Sequence, residues 1–290
     1  MKSITLTVGA LLFATPALAA PLPVTASFSI LGDMVQQVGG DKVVVTTIVG
    51  PDDDTHVYEP TPSDVKKLLG GKAFFVNGLG FEGWMQRLVQ SAGYAGQVVV
   101  ATTGIAPRQL DEDGQTVEDP HAWQSLANGL IYVDNILKGL CAADAEDCDS
   151  FTANAAAYKA KISALDAQVK AEIAAVPEDK RKVITTHDAF GYFGAEYGVT
   201  FLAAEGLSTD AEPSAAELAA LVTQLKSADV KAIFLENMSD PRLLEQIARE
   251  TGATIGGELF ADALTKPGEG GEHYLDIATH NAAALVAGMK

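Results

Sequence analysis

The chain has 290 residues, 48% of them hydrophobic, and its 20 basic and 38 acidic side chains give a net charge of -18 at pH 7. This length and apolar content suffice for one large or two ordinary domains and argue against an intrinsically disordered protein. The negative charge argues against nucleic acid or an anionic lipid surface as a partner and is compatible with a cation.

The first 20 residues resemble a secretory signal. A lysine stands near the start, an apolar stretch follows, and small residues at Ala17-Leu18-Ala19 provide a cleavage site. The apolar stretch is short for a membrane span, and no cysteine follows that would carry a lipid anchor. We therefore expect residues 1–20 to be removed and the mature chain to be exported as a soluble protein without a lipid anchor.

Short apolar segments then alternate with amphipathic ones. The segments VTASFS, VVVTTIV, AFFVNG and VVVA are typical of buried strands, and helix-like segments separate them. This alternation predicts an α/β lobe with a parallel sheet over residues 21–149. The pattern resumes with KVITTH, VTFLAAE, KAIFLEN and ATIGGE and predicts a second α/β lobe over residues 178–290.

The segment between the two predicted lobes, residues 150–177, has a helical pattern. It contains no Gly and only a final Pro, and Ile162, Leu165, Val169 and Ile173 recur at helical spacing. We expect one rigid linking helix of about 40 Å. A rigid helix predicts small motions of the lobes relative to each other.

The two cysteines, Cys141 and Cys148, flank the sequence AADAED. In an exported protein they are expected to form a structural disulfide. A cysteine-based metal site is the alternative, although such a site usually has further Cys or His residues nearby.

The five histidines fall into two groups. His56, His121 and His187 each follow a predicted strand, and open parallel sheets bind ligands at the carboxyl ends of their strands. His273 and His280 lie on a predicted C-terminal helix, where we expect surface or helix-capping roles. The first three are therefore the candidate ligands.

Three imidazoles and one carboxylate would form a suitable zinc site. Asp262 follows the last predicted strand and is the candidate for the fourth ligand. Glu59 is a candidate acceptor that orients the His56 ring, with a solvated side chain as the alternative. Asp188 is expected to cap a helix.

Four motifs, in order and spacing, resemble a known family: GPDDDTHVYEPTPSDVKKL, DPHAW, ITTHDAFGYFGAEYGV and GGELFADAL. They are similar to the metal receptors of bacterial zinc and manganese ABC importers, the cluster A-I solute-binding proteins. The resemblance implies two (βα)4 lobes joined by a long helix, with the metal in the cleft between them. It also implies a monomeric periplasmic receptor, not an enzyme, that delivers its ion to a membrane permease.

The resemblance implies the same four ligands, His56, His121, His187 and Asp262. Manganese members tend to carry glutamate at the third position, where this chain has His187. Zn²⁺ is therefore the expected cargo. A manganese receptor of the same fold and a secreted zinc hydrolase remain as alternatives, although the chain lacks a His-Glu-x-x-His motif.

One segment departs from the zinc members of the family, which commonly carry a loop rich in histidine and acids before the second ligand. Residues 107–120 contain acids but no histidine. This difference leaves a contribution of the loop to metal capture open.

Overall fold

The computed structural model describes residues 20–112, 115–209, 214–228, 230 and 232–290. The predicted signal, residues 1–20, lies outside this part of the chain except for its last residue. Among the described residues, no helix combines the length and apolar character needed to cross a membrane.

The first lobe is built on a parallel sheet. Its strands are β1 (Leu22–Ala26), β2 (Val43–Thr47), β3 (Ala73–Val76) and β4 (Gln97–Val100). Its helices are α1 (Ser29–Gly39), α2 (Pro62–Gly70), α3 (Met85–Ala92) and α4 (Leu126–Ala143). The strand order is β2-β1-β3-β4, and every pairing is parallel.

The segment between β4 and α4 contains an antiparallel pair, β5 (Gln109–Glu112) and β6 (Gln115–Glu118). This pair lies within the acidic segment 107–120. It leads directly into the loop that carries His121.

The second lobe repeats the arrangement. Its strands are β7 (Lys182–Thr185), β8 (Thr200–Ala203), β9 (Ala232–Glu236) and β10 (Thr254–Leu259). Its helices are α6 (Gly191–Tyr197), α7 (Ala215–Ala228), α8 (Arg242–Thr251) and α9 (Tyr274–Gly288). The strand order is β10-β9-β7-β8, again all parallel, so the predicted fold of two α/β lobes is confirmed.

A single helix, α5 (Cys148–Ala174), joins the lobes. Its 27 residues correspond to a length of about 40 Å. Ile162, Leu165, Val169 and Ile173 are buried, in agreement with the helical pattern. The helix ends before Pro177, which has no amide hydrogen to continue it.

A disulfide joins Cys141 in α4 to Cys148, the first residue of α5. It closes the short connection by which the chain leaves the first lobe. The cysteines are therefore paired with each other rather than available to a metal.

The buried apolar side chains of the described residues form two separate clusters. The larger one runs through the first lobe, along α5 and into α6 and α9. The smaller one lies under α7 and α8 and includes Ile184, Leu225, Ile233, Leu244 and Ile247. The large cluster shows that α5 packs into both lobes, while the partition into residues 21–149, 150–177 and 178–290 stays a prediction.

Candidate metal centre

Four side chains converge between the carboxyl ends of the two sheets. One donor atom from each of His56, His121, His187 and Asp262 lies within 4.8 Å of the other three. Two of these residues come from each lobe. The structure thus brings together the four side chains that the sequence singled out.

His56 lies on the loop after β2. Hydrogen bonds within this loop and from the second lobe fix the loop backbone at His56. Its backbone N–H donates to Asp54 Oδ1 at 2.9 Å, and Asp54 Oδ2 accepts from Thr209 Oγ1 at 2.6 Å. The ring packs edge-on against Phe81, with the ring centroids 5.0 Å apart. At 7% exposure, the His56 side chain is the most accessible of the four.

The turn after His56 is closed by the start of α2. Pro62 occupies the first turn, where a missing amide hydrogen costs nothing, and the Thr61 backbone N–H donates to Asp64 Oδ2 at 2.8 Å. The Tyr58 hydroxyl donates to the same oxygen at 2.9 Å. These bonds give the loop a defined conformation.

His121 is oriented by the aspartate two residues before it. Asp119 Oδ1 accepts from the His121 backbone N–H at 3.0 Å and lies 2.9 Å from Nδ1 of the ring. Asp119 Oδ2 accepts from Arg108 Nη1 at 2.9 Å. With Nδ1–H donating to Asp119, His121 directs the lone pair of Nε2 toward the other three residues.

His187 has an equivalent partner on a neighbouring strand. Glu236, the last residue of β9, lies 2.5 Å from His187 Nδ1 through Oε2. Its Oε1 accepts from the backbone N–H groups of Thr186 and His187 at 2.9 and 3.1 Å. In the neutral form of the ring, Nε2 of His187 therefore also carries the lone pair that faces the centre.

Asp262 completes the cluster from the loop after β10. Its Oδ2 lies 3.1 Å from His187 Nε2 and 3.2 Å from His56 Nε2. Its Oδ1 is buried and has no hydrogen-bond partner among the described residues. A buried carboxylate oxygen without a partner is costly, and a cation in the cluster would satisfy it.

The loop that carries Asp262 is tied to the first lobe by its own backbone. Trp123 Nε1 and Gln124 Nε2 donate to the Ala261 carbonyl at 3.0 and 2.8 Å. The Leu264 backbone N–H donates to Ser29 Oγ at 3.0 Å. The lobes are therefore bonded to each other directly beside the candidate ligands.

The metal-free cluster is strongly coupled electrostatically. Burial lowers the pKa of His121, but the Asp262 and Asp119 carboxylates outweigh burial and raise the pKa to about 9. The pKa of His187 lies well above its usual range because Glu236 and Asp262 outweigh burial in the same way. Burial would raise the pKa of Asp262, but the two imidazoles hold it well below its usual range.

The spacing of the donors fits a metal ion. Ligands about 2.0–2.1 Å from a tetrahedral Zn²⁺ lie about 3.3 Å from one another. The His56 and His121 Nε2 atoms are 3.2 Å apart, and His121 Nε2 is 3.7 Å from Asp262 Oδ1. All four donors lie within 4.8 Å of one another, so shifts of about 1–2 Å would let them surround one ion.

Two expectations about neighbouring acids are wrong. Glu59 is exposed and lines a surface groove with Pro60 and Arg87, and among the described residues no bond joins it to His56. The chain turns outward after His56, so closeness in sequence does not bring Glu59 to the ring. Asp188 does not cap α6, since Phe190 occupies the cap position without a side-chain bond.

The other two histidines lie outside the cluster, as expected. His273 Nδ1 is 2.7 Å from Asp33 Oδ1, and the His273 side chain is 57% exposed. His280 is also exposed, and its Nε2 lies 2.9 Å from the Glu258 carbonyl oxygen, to which it donates.

The sequence reasoning missed the two carboxylates that orient the rings. Asp119 is present in the motif DPHAW, two residues before the histidine, and that spacing is a usable signal. Glu236 ends the apolar strand AIFLE, where a lone acid indicates a buried partner.

Comparisons with known proteins identify a family to which the chain is similar. The family model described as ZnuA, "Zinc-uptake complex component A periplasmic", matches residues 24–288. The manganese-binding lipoprotein MntA of Halalkalibacterium halodurans is 32% identical over 92% of this chain and 88% of its own. The iron ABC transporter substrate-binding lipoprotein MtsA of Streptococcus pyogenes is 33% identical over 92% of this chain and 89% of its own.

A solved structure shares the fold. The periplasmic zinc-binding protein TroA from Treponema pallidum has a TM-score of 0.88 and 28% identity, covering 93% of this chain and 99% of its own. The names of these relatives thus span manganese, iron and zinc.

The comparisons correct one expectation. MntA and MtsA are both named lipoproteins, which contradicts the expectation of an exported chain without a lipid anchor. That expectation rested on the lack of a cysteine after the signal, and it is withdrawn. A periplasmic receptor role is supported by the family model.

Proposed function

Because the chain belongs to the ZnuA family of periplasmic metal-binding receptors of ABC importers, we propose that its cargo is Zn²⁺, which it captures and delivers to a membrane permease. The observation that carries the proposal is the donor set, three imidazole nitrogens and one carboxylate directed at a common point.

Zinc is favoured over manganese by the nature of these donors. Imidazole suits Zn²⁺, whereas Mn²⁺ prefers sites rich in oxygen, and the general affinity order places Zn²⁺ above Mn²⁺. The third position carries His187, and Glu236 fixes that ring with its Nε2 toward the cluster. Both features support a nitrogen-rich site.

The arrangement suits holding an ion rather than catalysis. Four protein donors fill a tetrahedral zinc site, whereas catalytic zinc keeps a position for water or substrate. Because each lobe supplies two donors, a bound ion would bridge the cleft. Delivery then requires that the two pairs of donors separate.

Competition binding tests the choice of cargo. Purified protein is freed of metal with a chelator, then equilibrated with equal Zn²⁺, Mn²⁺ and Fe²⁺, and its bound metal is measured after gel filtration. We expect one Zn²⁺ per chain. Preferential loading with Mn²⁺ or Fe²⁺ would refute the zinc proposal.

A manganese receptor of the same fold is the second candidate, because the MntA relative is named for that metal. The two candidates predict opposite results in the competition experiment. Spectroscopy on the loaded protein separates them further, since an oxygen-rich six-coordinate site is expected for Mn²⁺ and a four-coordinate site for Zn²⁺.

A further inference from the structure

One contact between the lobes reaches the backbone of Asp119, the residue whose carboxylate orients the candidate ligand His121. The Tyr192 hydroxyl, in α6 of the second lobe, donates to the Asp119 backbone carbonyl at 3.0 Å and accepts from the Arg108 backbone N–H at 3.0 Å. Arg108 in turn bonds through Nη1 to Asp119 Oδ2, and Asp119 Oδ1 holds the His121 ring.

The backbone of the second lobe leaves room for this contact. A Cβ atom built on Gly191 would lie 1.3 Å from Arg108 Nη1 and 2.8 Å from Asp119 Oδ2. The Arg108 guanidinium also lies over the Tyr192 ring, 5.6 Å from its centroid. The first turn of α6 therefore fits against the Arg108–Asp119 pair without space for a side chain at residue 191.

Among the described residues, neither His56 nor His187 has a bond between the lobes at a residue that orients its ring. The His56 loop is bonded to the second lobe at Asp52 and Asp54, which do not contact that ring. Glu236 orients His187, and all the described hydrogen-bond partners of the Glu236 side chain belong to the second lobe. Thr209 reaches His56 across the cleft only through Asp54, which bonds to the His56 backbone and not to its ring.

We infer that Arg108 and Tyr192 form a clasp through which separation of the lobes loosens the His121 ring, so that metal release begins at this ligand. The clasp residues are positioning residues, because they act on the ion through Asp119 and His121. Opening the cleft would remove Tyr192 and Gly191 from the Asp119 loop while Glu236 continues to hold His187. The inference rests on the proposed function for its role in release.

Zinc release from Tyr192→Phe tests the clasp. Each protein is loaded with Zn²⁺ and mixed with excess chelator, and the release rate is followed. Because two hydrogen bonds between the lobes are lost and the ring is kept, we expect about tenfold faster release than in the wild type. Unchanged release from Tyr192→Phe would overturn the inference.

Tyr197→Phe is the matched control, because Tyr197 lies on the same helix and its hydroxyl also bonds to the first lobe. It accepts from the Leu126 backbone N–H at 3.4 Å and donates to Asp166 of α5, and neither of these bonds involves Asp119 or Arg108. Its release rate is expected to stay within about twofold of the wild type. An equal acceleration in Tyr197→Phe would show a general loss of packing and would also overturn the clasp.

A second measurement does not depend on the metal. In metal-free protein with ¹⁵N-labelled histidine, Tyr192→Phe should speed solvent exchange of the His121 Nδ1 proton and leave that of His187 unchanged. A loss of general structure would affect both rings. No change at His121, or equal changes at both, overturns the inference. If the wild type fails to bind Zn²⁺, the proposed function fails, and this measurement still decides the clasp.

Gly191→Ala provides an independent variant that removes no hydrogen-bonding atom. The added methyl group displaces the flexible end of Arg108 from Asp119. Gly70→Ala is its control, because a Cβ there meets nothing within 4 Å. Faster zinc release and faster His121 proton exchange in Gly191→Ala, but not in Gly70→Ala, support the clasp. Wild-type behaviour of Gly191→Ala overturns it. This test decides the inference even where Tyr192→Phe does not fold.

Discussion

Glu236 holds His187 from a neighbouring strand, with its Oε2 2.5 Å from His187 Nδ1. Replacing Glu236 with Gln keeps the size of the side chain but removes the charge that fixes the ring. We expect zinc affinity to fall about 10–100-fold, the usual effect of losing an acceptor behind a metal ligand. Calorimetry in competition with a chelator measures the change.

Glu172→Gln is the control for this substitution, since Glu172 is partly exposed and its only described bond is to Gln168 on the same helix. Its zinc affinity should equal that of the wild type. A Glu236→Gln protein that binds zinc as tightly as Glu172→Gln would contradict the assigned role.

Alanine substitution of the candidate ligands is expected to weaken zinc binding to different extents. Four-ligand zinc sites are worth about 10–16 kcal/mol, so one imidazole contributes about 3 kcal/mol, or a hundredfold in affinity. We expect this loss for His56, His121 and His187, and a smaller one for Asp262→Ala if water replaces the carboxylate. Equilibrium competition for zinc measures each constant.

His273→Ala is the matched control, because His273 is exposed and paired with Asp33 outside the cluster. Loss of zinc binding in this variant would show that the ligands were assigned wrongly.

Zinc affinity should depend on pH well above the usual range of histidine. The pKa of His121 is raised to about 9 in the metal-free cluster, and a ligand imidazole must be neutral. At pH 7 the ion must therefore displace a proton, and the apparent affinity should rise from pH 6.5 until about pH 9. Calorimetry in buffers of different ionisation enthalpy counts the protons released.

An affinity that is constant between pH 7 and pH 9, with no proton released, would refute this prediction. The direction follows from the sign of the shift. A pKa below that of free histidine would instead leave the affinity constant above pH 6.5.

The disulfide should affect stability without affecting the metal. Cys141 and Cys148 are separated by seven positions, and a loop of that size contributes roughly 2.5 kcal/mol through the entropy of the unfolded chain. The Cys141→Ser, Cys148→Ser double variant should lose about this much in urea unfolding and bind zinc normally. A loss of zinc affinity would indicate that the end of α4 positions the ligands.

Much of the fold could be predicted from the sequence because each buried parallel strand is a short apolar run. The segment KVITTH contains β7, and the segment VTASFS overlaps the second half of β1, which begins two residues earlier at Leu22. The position of a ligand at the end of a strand follows from the same pattern, which is how His187 was found.

The hydrogen bonds that orient the ligand rings could not be predicted, because they depend on which strands are neighbours in the sheet. Glu236 lies 49 positions from His187 but on the adjacent strand, whereas Glu59 lies three positions from His56 and faces solvent. The order of strands β9 and β7 in the sheet decides the first pairing, and hydrophobic periodicity carries no information about that order.

The two apolar clusters divide the second lobe unequally. Helices α7 and α8 rest on the small cluster, while the large cluster includes Phe81, Trp123 and Ala261 around the candidate ligands. The small cluster also includes Ile184 of β7 and Ile233 of β9, the strands that lead to His187 and Glu236, so α7 and α8 contact the ligand-bearing part of the sheet through these residues. Any load placed on α7 or α8 would therefore be transmitted by the sheet to the His187–Glu236 pair, whereas the first-lobe ligands His56 and His121 lie outside this small cluster.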